Sequence, residues 1–206
     1  VGTEKDGFTT SLTTVEGLEK VTKIGKQAFY GCEKLENFGN YTESEVNGEK
    51  IKTIKMDKLS TLSAQAFECA GLTNYVITEM KLVATVSSKA FRKSGVRSVE
   101  FSASKLKTID TYAFELCEKL VSLTGTEGVT KLGNYAFTNS ALSGEYTFSG
   151  VKTASNLGYS VFENTKVTKV GLPNAVNIKS SMFKGCSELV SVELNDAATD
   201  VGTSLF

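Results

Sequence analysis

The sequence predicts a repeat solenoid, a continuous array of mainly short parallel β-strands joined by turns and short helical turns. Two observations lead to this fold class: a small residue followed by Phe recurs about every 23 residues, and aliphatic residues keep a fixed distance from each such pair. A strand-like segment follows each pair. One repeat cannot bury such an apolar face alone, whereas stacked repeats bury a continuous core.

The repeating pair defines about seven and a half repeats. It stands at Ala28-Phe29, Ala66-Phe67, Ala90-Phe91, Ala113-Phe114, Ala136-Phe137, Val161-Phe162, Met182-Phe183 and Leu205-Phe206. Four residues before the first member of each pair there is an aliphatic residue, in order Ile24, Leu62, Val86, Ile109, Leu132, Leu157, Ile178 and Val201. This register predicts a second short extended piece, followed by a turn or a single helical turn around the pair.

The segment after each Phe has a long and a short form. The long form, Phe-x-x-Cys-x-x-Leu, begins at Phe29, Phe114 and Phe183, and the other repeats are one residue shorter. The strand-like segments that follow, such as VRSVEF (96–101) and LVSVEL (189–194), are apolar at positions 1, 4 and 6. Positions 4 and 6 alternate as a half-buried strand should, so positions 3 and 5 are expected to face away from the core.

The repeat pattern is interrupted near its beginning. About 15 extra residues lie between Leu35 and Leu59, and they include Asn47-Gly48. This dipeptide favours a type I′ hairpin turn, so a protruding hairpin is predicted near residues 41–50. We expect one continuous domain, with an irregular N-terminal repeat or cap over 1–20 and repeats over 21–206, the last of them truncated.

The consensus L-x-x-I-x-x-x-A-F-x-x-C-x-x-L-x-x-V-x-L resembles the BspA-like leucine-rich repeat, from about Val21 to Phe206. The resemblance implies a right-handed leucine-rich-repeat superhelix. It also implies an extracellular or cell-surface protein associated with adhesion, and it brings no catalytic motif. The sequence departs from the consensus where Cys is kept in only three repeats and the usual Pro survives only at Pro173.

Composition argues against several classes of function. Lys plus Arg equals Asp plus Glu at 23 each, with no run of like charge, so no nucleic-acid partner is expected. No apolar stretch reaches the roughly 18 residues of a membrane span. His and Trp are absent; without His the common general base and the usual Zn ligands are missing. We therefore expect no enzyme, no metal and no cofactor.

The four cysteines and a few acidic pairs are the remaining candidates for chemistry. Cys32 and Cys69 belong to neighbouring repeats and are the one plausible disulfide pair, with buried free thiols as the alternative. Glu43 with Glu45, or Asp196 with Asp200, could serve acid–base chemistry or bind Ca²⁺. Such carboxylates are more often solvated loop charges.

The outward strand positions are the predicted partner-binding surface. The candidates are Asn74, Ser98, Glu100, Ser122, Thr124, Tyr146, Lys169, Ser191 and Glu193. The leading hypothesis is a monomeric, non-enzymatic extracellular module that recognises or adheres to a protein of a host, matrix or neighbouring-cell surface, through this face or the hairpin. The alternative is a rigid structural spacer in a larger surface protein. A carbohydrate-binding role is disfavoured because Trp is absent and few aromatic residues lie on the face.

Overall fold

The computed structural model describes residues 11–206 of the chain. This part holds short strands and a single 3-10 turn at Ala154–Asn156. The strands are β1 (Thr14–Val15), β2 (Lys23–Ile24), β3 (Asn37–Phe38), β4 (Tyr41–Val46), β5 (Glu49–Lys55), β6 (Thr61–Leu62), β7 (Tyr75–Met80), β8 (Thr85–Val86), β9 (Ser98–Phe101), β10 (Thr108–Ile109), β11 (Ser122–Thr124), β12 (Lys131–Leu132), β13 (Ser143–Thr147), β14 (Lys166–Leu172), β15 (Asn177–Ile178), β16 (Ser191–Leu194) and β17 (Asp200–Val201).

Each coil of the solenoid contributes to three walls. The strand wall contains the sheets β1-β3, β11-β9-β7-β5-β4 and β13-β14-β16, and the short-strand wall contains β12-β10-β8-β6-β2 and β15-β17. The turn wall consists of the turns around the Ala-Phe-type pairs. All strand pairs are parallel except β4 with β5. The predicted repeat solenoid is confirmed.

The core runs along the solenoid as columns of like residues. The rings of the repeating Phe, from Phe29 to Phe206, stack on one another with centroids 5.2–5.9 Å apart. The second residue of each strand from β2 to β12 on the short-strand wall is also buried. Each coil thus buries its apolar face only against its two neighbours, as the repeat pattern requires.

The turn wall is a ladder of turns rather than a row of helical turns. In almost every coil the residue two before Phe has φ between 50° and 58°, and the residue two after it has φ between 55° and 73°. These left-handed residues interrupt helical geometry and let alternate N–H groups reach the next coil. Phe67 N–H, for example, donates to Ala90 O at 2.7 Å, and Phe91 N–H donates to Ala113 O at 2.9 Å.

The strand wall consists of three sheets, and at each of the two gaps between neighbouring sheets a tyrosine hydroxyl group accepts a backbone hydrogen bond. Between β3 and β7, Phe38 N–H donates to Tyr75 Oη at 2.7 Å, and Tyr75 Oη donates to Glu36 O at 3.3 Å. Between β11 and β13, Leu123 N–H donates to Tyr146 Oη at 3.3 Å. Burial raises the pKa of Tyr75 to about 12 and also raises that of Tyr146. Each hydroxyl replaces a strand-to-strand hydrogen bond that the break removes.

An inserted hairpin, β4 and β5, interrupts the first strand-wall coil. Asn47 and Gly48 form its turn with φ of 52° and 80°, as a type I′ turn requires. β5 then continues the strand wall, because Ile54 pairs with Ile77 in β7. The hairpin therefore lies in the sheet, with β4 as its terminal strand.

The predicted N-terminal cap over 1–20 falls partly outside the described residues, which begin at residue 11. In the described part of that segment, β1 pairs in parallel with β3. The four cysteines are free: Cys32 and Cys117 are buried, while Cys69 and Cys186 are half-buried. The pairing of Cys32 with Cys69 is therefore not formed. Cys32 points into the core, whereas Cys69 lies at a left-handed position of the turn wall.

Candidate functional site

Two pairs of predicted surface residues lie side by side on the strand wall. Ser98 pairs with Ser122, and Glu100 pairs with Thr124, between β9 and β11. Glu100 and Thr124 are exposed, and the two serines are half-buried. Because adjacent strands are about 4.8 Å apart, these four side chains form one compact polar patch.

A second patch lies on the last two strands of the strand wall. Lys169 of β14 pairs with Ser191 of β16, and Gly171 pairs with Glu193. Ser191 and Glu193 are exposed, and Lys169 is half-buried. The break between β11 and β13 separates this patch from the first, so the predicted surface consists of two groups.

Seven polar side chains of the two patches have no partner in the described part of the chain. The side chains of Ser98, Glu100, Ser122, Thr124, Lys169, Ser191 and Glu193 make no hydrogen bond or ion pair with any described residue. Their donors and acceptors therefore remain available to a partner. The arrangement can hydrogen-bond a protein surface, but it does not enclose a substrate.

The prediction that Tyr146 belongs to the exposed face is wrong. Its side chain is 8% exposed and lies in the core, with its ring 6.3 Å from that of Phe148. The register between β13 and β14 shifts between Gly144 and Glu145. The extra residue of this shift is Thr168 in β14, whereas β13 alternates without a break, so Leu142, Tyr146 and Phe148 face the core and Glu145 is exposed. The inward positions of β13 are thus one residue out of step with those of the other repeats.

Asn74 occupies a different position from the other candidates. It precedes β7, has φ of 62°, and its carbonyl accepts a hydrogen bond from Lys52 N at 3.2 Å. The Oδ1 atom of Asn74 is buried and has no hydrogen-bond partner among the described residues. Asn74 thus belongs to the junction between the hairpin and the strand wall, apart from the two polar patches.

Charged residues form an ion-pair cluster beside the first patch. Glu79 contacts Lys55 at 3.0 Å and Lys81 at 3.1 Å. The hydrogen bond from Lys55, followed by that from Lys81, lowers the pKa of Glu79. At the other side, Arg97 contacts Glu49 of the hairpin at 2.7 Å. These exposed pairs contribute little to stability, but they fix charges around the patch.

A more buried ion-pair network lies on the turn wall. Arg92 binds the carboxylates of Glu68, at 2.9 Å, and of Glu115. Gln65 Nε2 donates to the other oxygen of Glu68 at 2.8 Å. Burial opposes the charge on Arg92, but its hydrogen bonds to Glu115 and Glu68 outweigh that effect and raise its pKa.

Sequence reasoning missed this network, although the signal was present. The residue after Phe is Glu68, Arg92 and Glu115 in three successive repeats, and like positions of successive coils are neighbours. A column of alternating charge at one-coil spacing therefore predicts axial ion pairs. The charged groups of this network pair with one another across neighbouring coils. The network therefore links the coils and leaves few charged groups free to bind a partner.

Two of the four thiols are poor nucleophiles, and the described residues form no metal cluster. Burial raises the pKa of the Cys117 thiol to about 12 and also raises that of Cys69. Both thiols therefore stay protonated at neutral pH and are poor nucleophiles. Among residues 11–206 no group of three or more His, Cys, Asp or Glu side chains is placed to hold a metal ion.

None of the described helical segments is long and apolar enough to cross a membrane.

Comparison with known proteins identifies the repeat. The family model of the BspA type leucine-rich repeat region matches six copies, over residues 7–104 and 84–206. The chain belongs to this family. BspA-type members are typically found on bacterial cell surfaces, leucine-rich repeats commonly mediate protein–protein interaction, and the family is generally non-enzymatic.

Among solved structures, a leucine-rich repeat protein from Bacteroides ovatus is similar to the BspA-type array. The two chains are 17% identical, with a TM-score of 0.48, and the match covers 95% of this chain and 64% of that one. The array thus spans less than two thirds of that protein's length. A search of the curated proteins found no match.

Proposed function

We propose that this BspA-type array is a non-enzymatic, extracellular recognition or adhesion module of a cell-surface protein. Its partner is a protein of a host, matrix or neighbouring-cell surface, and the array acts as a monomer. The observation that supports this proposal is the set of unused polar side chains on the strand wall. A partner that hydrogen-bonds them displaces only water, because no internal ion pair or hydrogen bond has to break.

The scaffold beneath these side chains also suits recognition. β9 and β11 are held by backbone ladders and by the buried residues Val99 and Leu123. Short side chains on a rigid sheet lose little conformational entropy when a partner binds. The surface is therefore preorganised, and its specificity depends on which small polar residue occupies each outward position.

A rigid spacer is the second candidate function. It is favoured by the uninterrupted stack of Phe rings from Phe29 to Phe206, which couples every coil to the next. Such a stack makes a stiff rod whether or not a partner binds. The two functions differ in one respect only, since a spacer needs no free polar patch.

The test is a binding screen of the purified chain against matrix proteins, host-cell surfaces and glycans. A strand-wall variant, Ser98→Lys with Ser122→Lys, is compared with a short-strand-wall variant, Thr61→Lys with Thr85→Lys. Both variants place two lysines on neighbouring coils, since Thr61 and Thr85 directly precede the paired residues of β6 and β8.

We expect saturable binding to a protein that weakens at least about tenfold in the strand-wall variant and is unchanged in the other. Equal loss in both variants would reject the strand wall as the binding surface. Absence of protein binding across the screen, with a folded monomer, would reject recognition in favour of the spacer.

A further inference from the structure

The inserted hairpin ends the strand wall with an open edge. β4 is the terminal strand of the five-stranded sheet, and within residues 11–206 its one strand partner is β5. Every residue of β4 after Tyr41 is exposed. An edge strand of this kind presents backbone groups that can pair with another extended segment.

The hydrogen bonds of β5 show which β4 residues face the open edge. Lys52 N–H donates to Asn74 O, so the backbone of Lys52 points toward β7 and away from β4. Lys52 is paired with Glu43, and Lys50 with Glu45. In an antiparallel ladder such pairs alternate with hydrogen-bonded ones, so the N–H and C=O groups of Glu43 and Glu45 point outward.

The side chains on this edge are acidic and available. Glu43 and Glu45 are exposed and form no ion pair with a described residue. Lys52, opposite Glu43, is engaged elsewhere, since its Nζ donates to Glu36 O at 2.6 Å and lies 4.8 Å from the centre of the Tyr41 ring. Lys50, opposite Glu45, forms no ion pair with it either, so neither carboxylate of the edge is held in an ion pair with a described residue.

These carboxylates disfavour pairing between two copies of β4 and favour pairing with a basic strand. Two copies of β4 pairing edge to edge would bring like carboxylates together, which is destabilising. A strand with Lys or Arg at alternate positions would instead place its cations beside Glu43 and Glu45.

We propose that the outer edge of β4 binds an extended, basic segment of a protein partner as an added β-strand. The partner's backbone pairs with that of Glu43 and Glu45, and its alternate cationic side chains meet the two carboxylates. This inference rests on the proposed function, because it names the partner chemistry of a recognition module. The ion pair of Arg97 with Glu49 and the anchoring of Lys52 hold the hairpin in place before binding.

The test measures amide hydrogen exchange by NMR on the full chain, with an end-blocked peptide of alternating Lys and Thr as the probe. In the free chain we expect the amides of Glu43 and Glu45 to exchange fast, and those of Ser44 and Val46, which face β5, to exchange slowly. The peptide should slow exchange of the Glu43 and Glu45 amides at least about tenfold.

A proline variant tests the backbone pairing when it is compared with Glu43→Ala, which removes the same carboxylate but keeps the outward N–H. Glu43→Pro removes an outward N–H without removing a bond to β5, and edge strands tolerate Pro at such positions. Glu43→Pro should weaken peptide binding at least about tenfold more than Glu43→Ala does, whereas Glu188→Pro, at an exposed turn, should not weaken it. A peptide of alternating Glu and Thr is the matched control and should not bind.

Fast exchange at Glu43 and Glu45 in the presence of bound Lys-Thr peptide would overturn the inference, as would equal binding of the Glu-Thr peptide. Absence of any peptide binding would also overturn it. None of these results would reject the proposed function, because the strand-wall variants test recognition separately.

Discussion

Substituting Gly133 by Ala tests a close approach between two coils. Gly133 and Gly25 occupy the same position of their repeats, four residues before Phe. A Cβ atom added to Gly133 would lie 2.2 Å from Thr111 N and 2.5 Å from Asp110 C, whereas one added to Gly25 would have nothing within 4 Å. Neither glycine has a left-handed φ. Glycine-to-alanine substitution at this position of the repeat should therefore change the free energy of unfolding in opposite directions in the two coils.

The expected magnitude follows from these distances. Non-bonded atoms prefer about 3.5 Å, so the two coils must part by roughly 1 Å to admit the methyl group of Gly133→Ala. This separation of the coils lowers the stability by about 1–3 kcal/mol, the usual cost of overpacking a core. It also lengthens the 2.8 Å hydrogen bond from Gly133 N–H to Ile109 O, worth about 1 kcal/mol. Reduced unfolded-state entropy offsets about 0.4–1 kcal/mol.

We therefore expect Gly133→Ala to lower the free energy of unfolding by about 1–3 kcal/mol and Gly25→Ala to raise it by about 0.4–1 kcal/mol. Urea unfolding followed by circular dichroism measures both changes. The midpoint for Gly133→Ala should fall by roughly 0.5–1 M. Equal midpoints for the two variants, or a higher midpoint for Gly133→Ala, would refute the argument from coil-to-coil approach.

Two substitutions and one labelling experiment test the internal contacts. Tyr75→Phe leaves the N–H of Phe38 buried without its acceptor, so stability should fall by about 1–3 kcal/mol and the Phe38 amide should exchange faster. Because the pKa of Tyr75 is raised to about 12 from its usual 10, its contribution is present below pH 10 and is lost as the pH rises to 12; alkaline titration of stability should be shallower in Tyr75→Phe. Arg92→Met leaves Glu68 buried without its cation and should cost about 3–5 kcal/mol in urea unfolding. The Cys117 thiol should react with Ellman's reagent only on unfolding, and reaction in the native state at pH 7 would contradict its burial.

The fold could be predicted because the same residue types recur at several positions of every repeat. Ile109 and Phe114, for example, have counterparts in every coil, and such columns permit only a stacked arrangement. The left-handed residues of the turn wall were not predicted. Positions such as Tyr112 and Leu116 carry no Gly or Asn to indicate a positive φ, and the ladder of hydrogen bonds to the next coil imposes it.

The candidate surface could be predicted only where the strand register is regular. Ser98 and Ser122 lie where the repeat template places them, but β13 is one residue out of step with that template, so Tyr146 lies in the core. The hydroxyl of Tyr146 then seals the gap beside Leu123, a role that depends on a break in the sheet. Local alternation does not reveal such a break, since it arises from how neighbouring coils meet.

The turn wall and the strand wall differ in what their polar groups do. On the turn wall, Glu68, Arg92 and Glu115 bind one another across three coils, so a partner there would have to compete with partly buried ion pairs. On the strand wall, Ser98 and Ser122 bind nothing in the described part of the chain, and the coils there are held by backbone ladders instead. Substitution of an outward strand-wall residue therefore changes the surface without loosening the solenoid. This separation of stability from surface chemistry suits the proposed recognition module, whose contacts we expect on the strand wall.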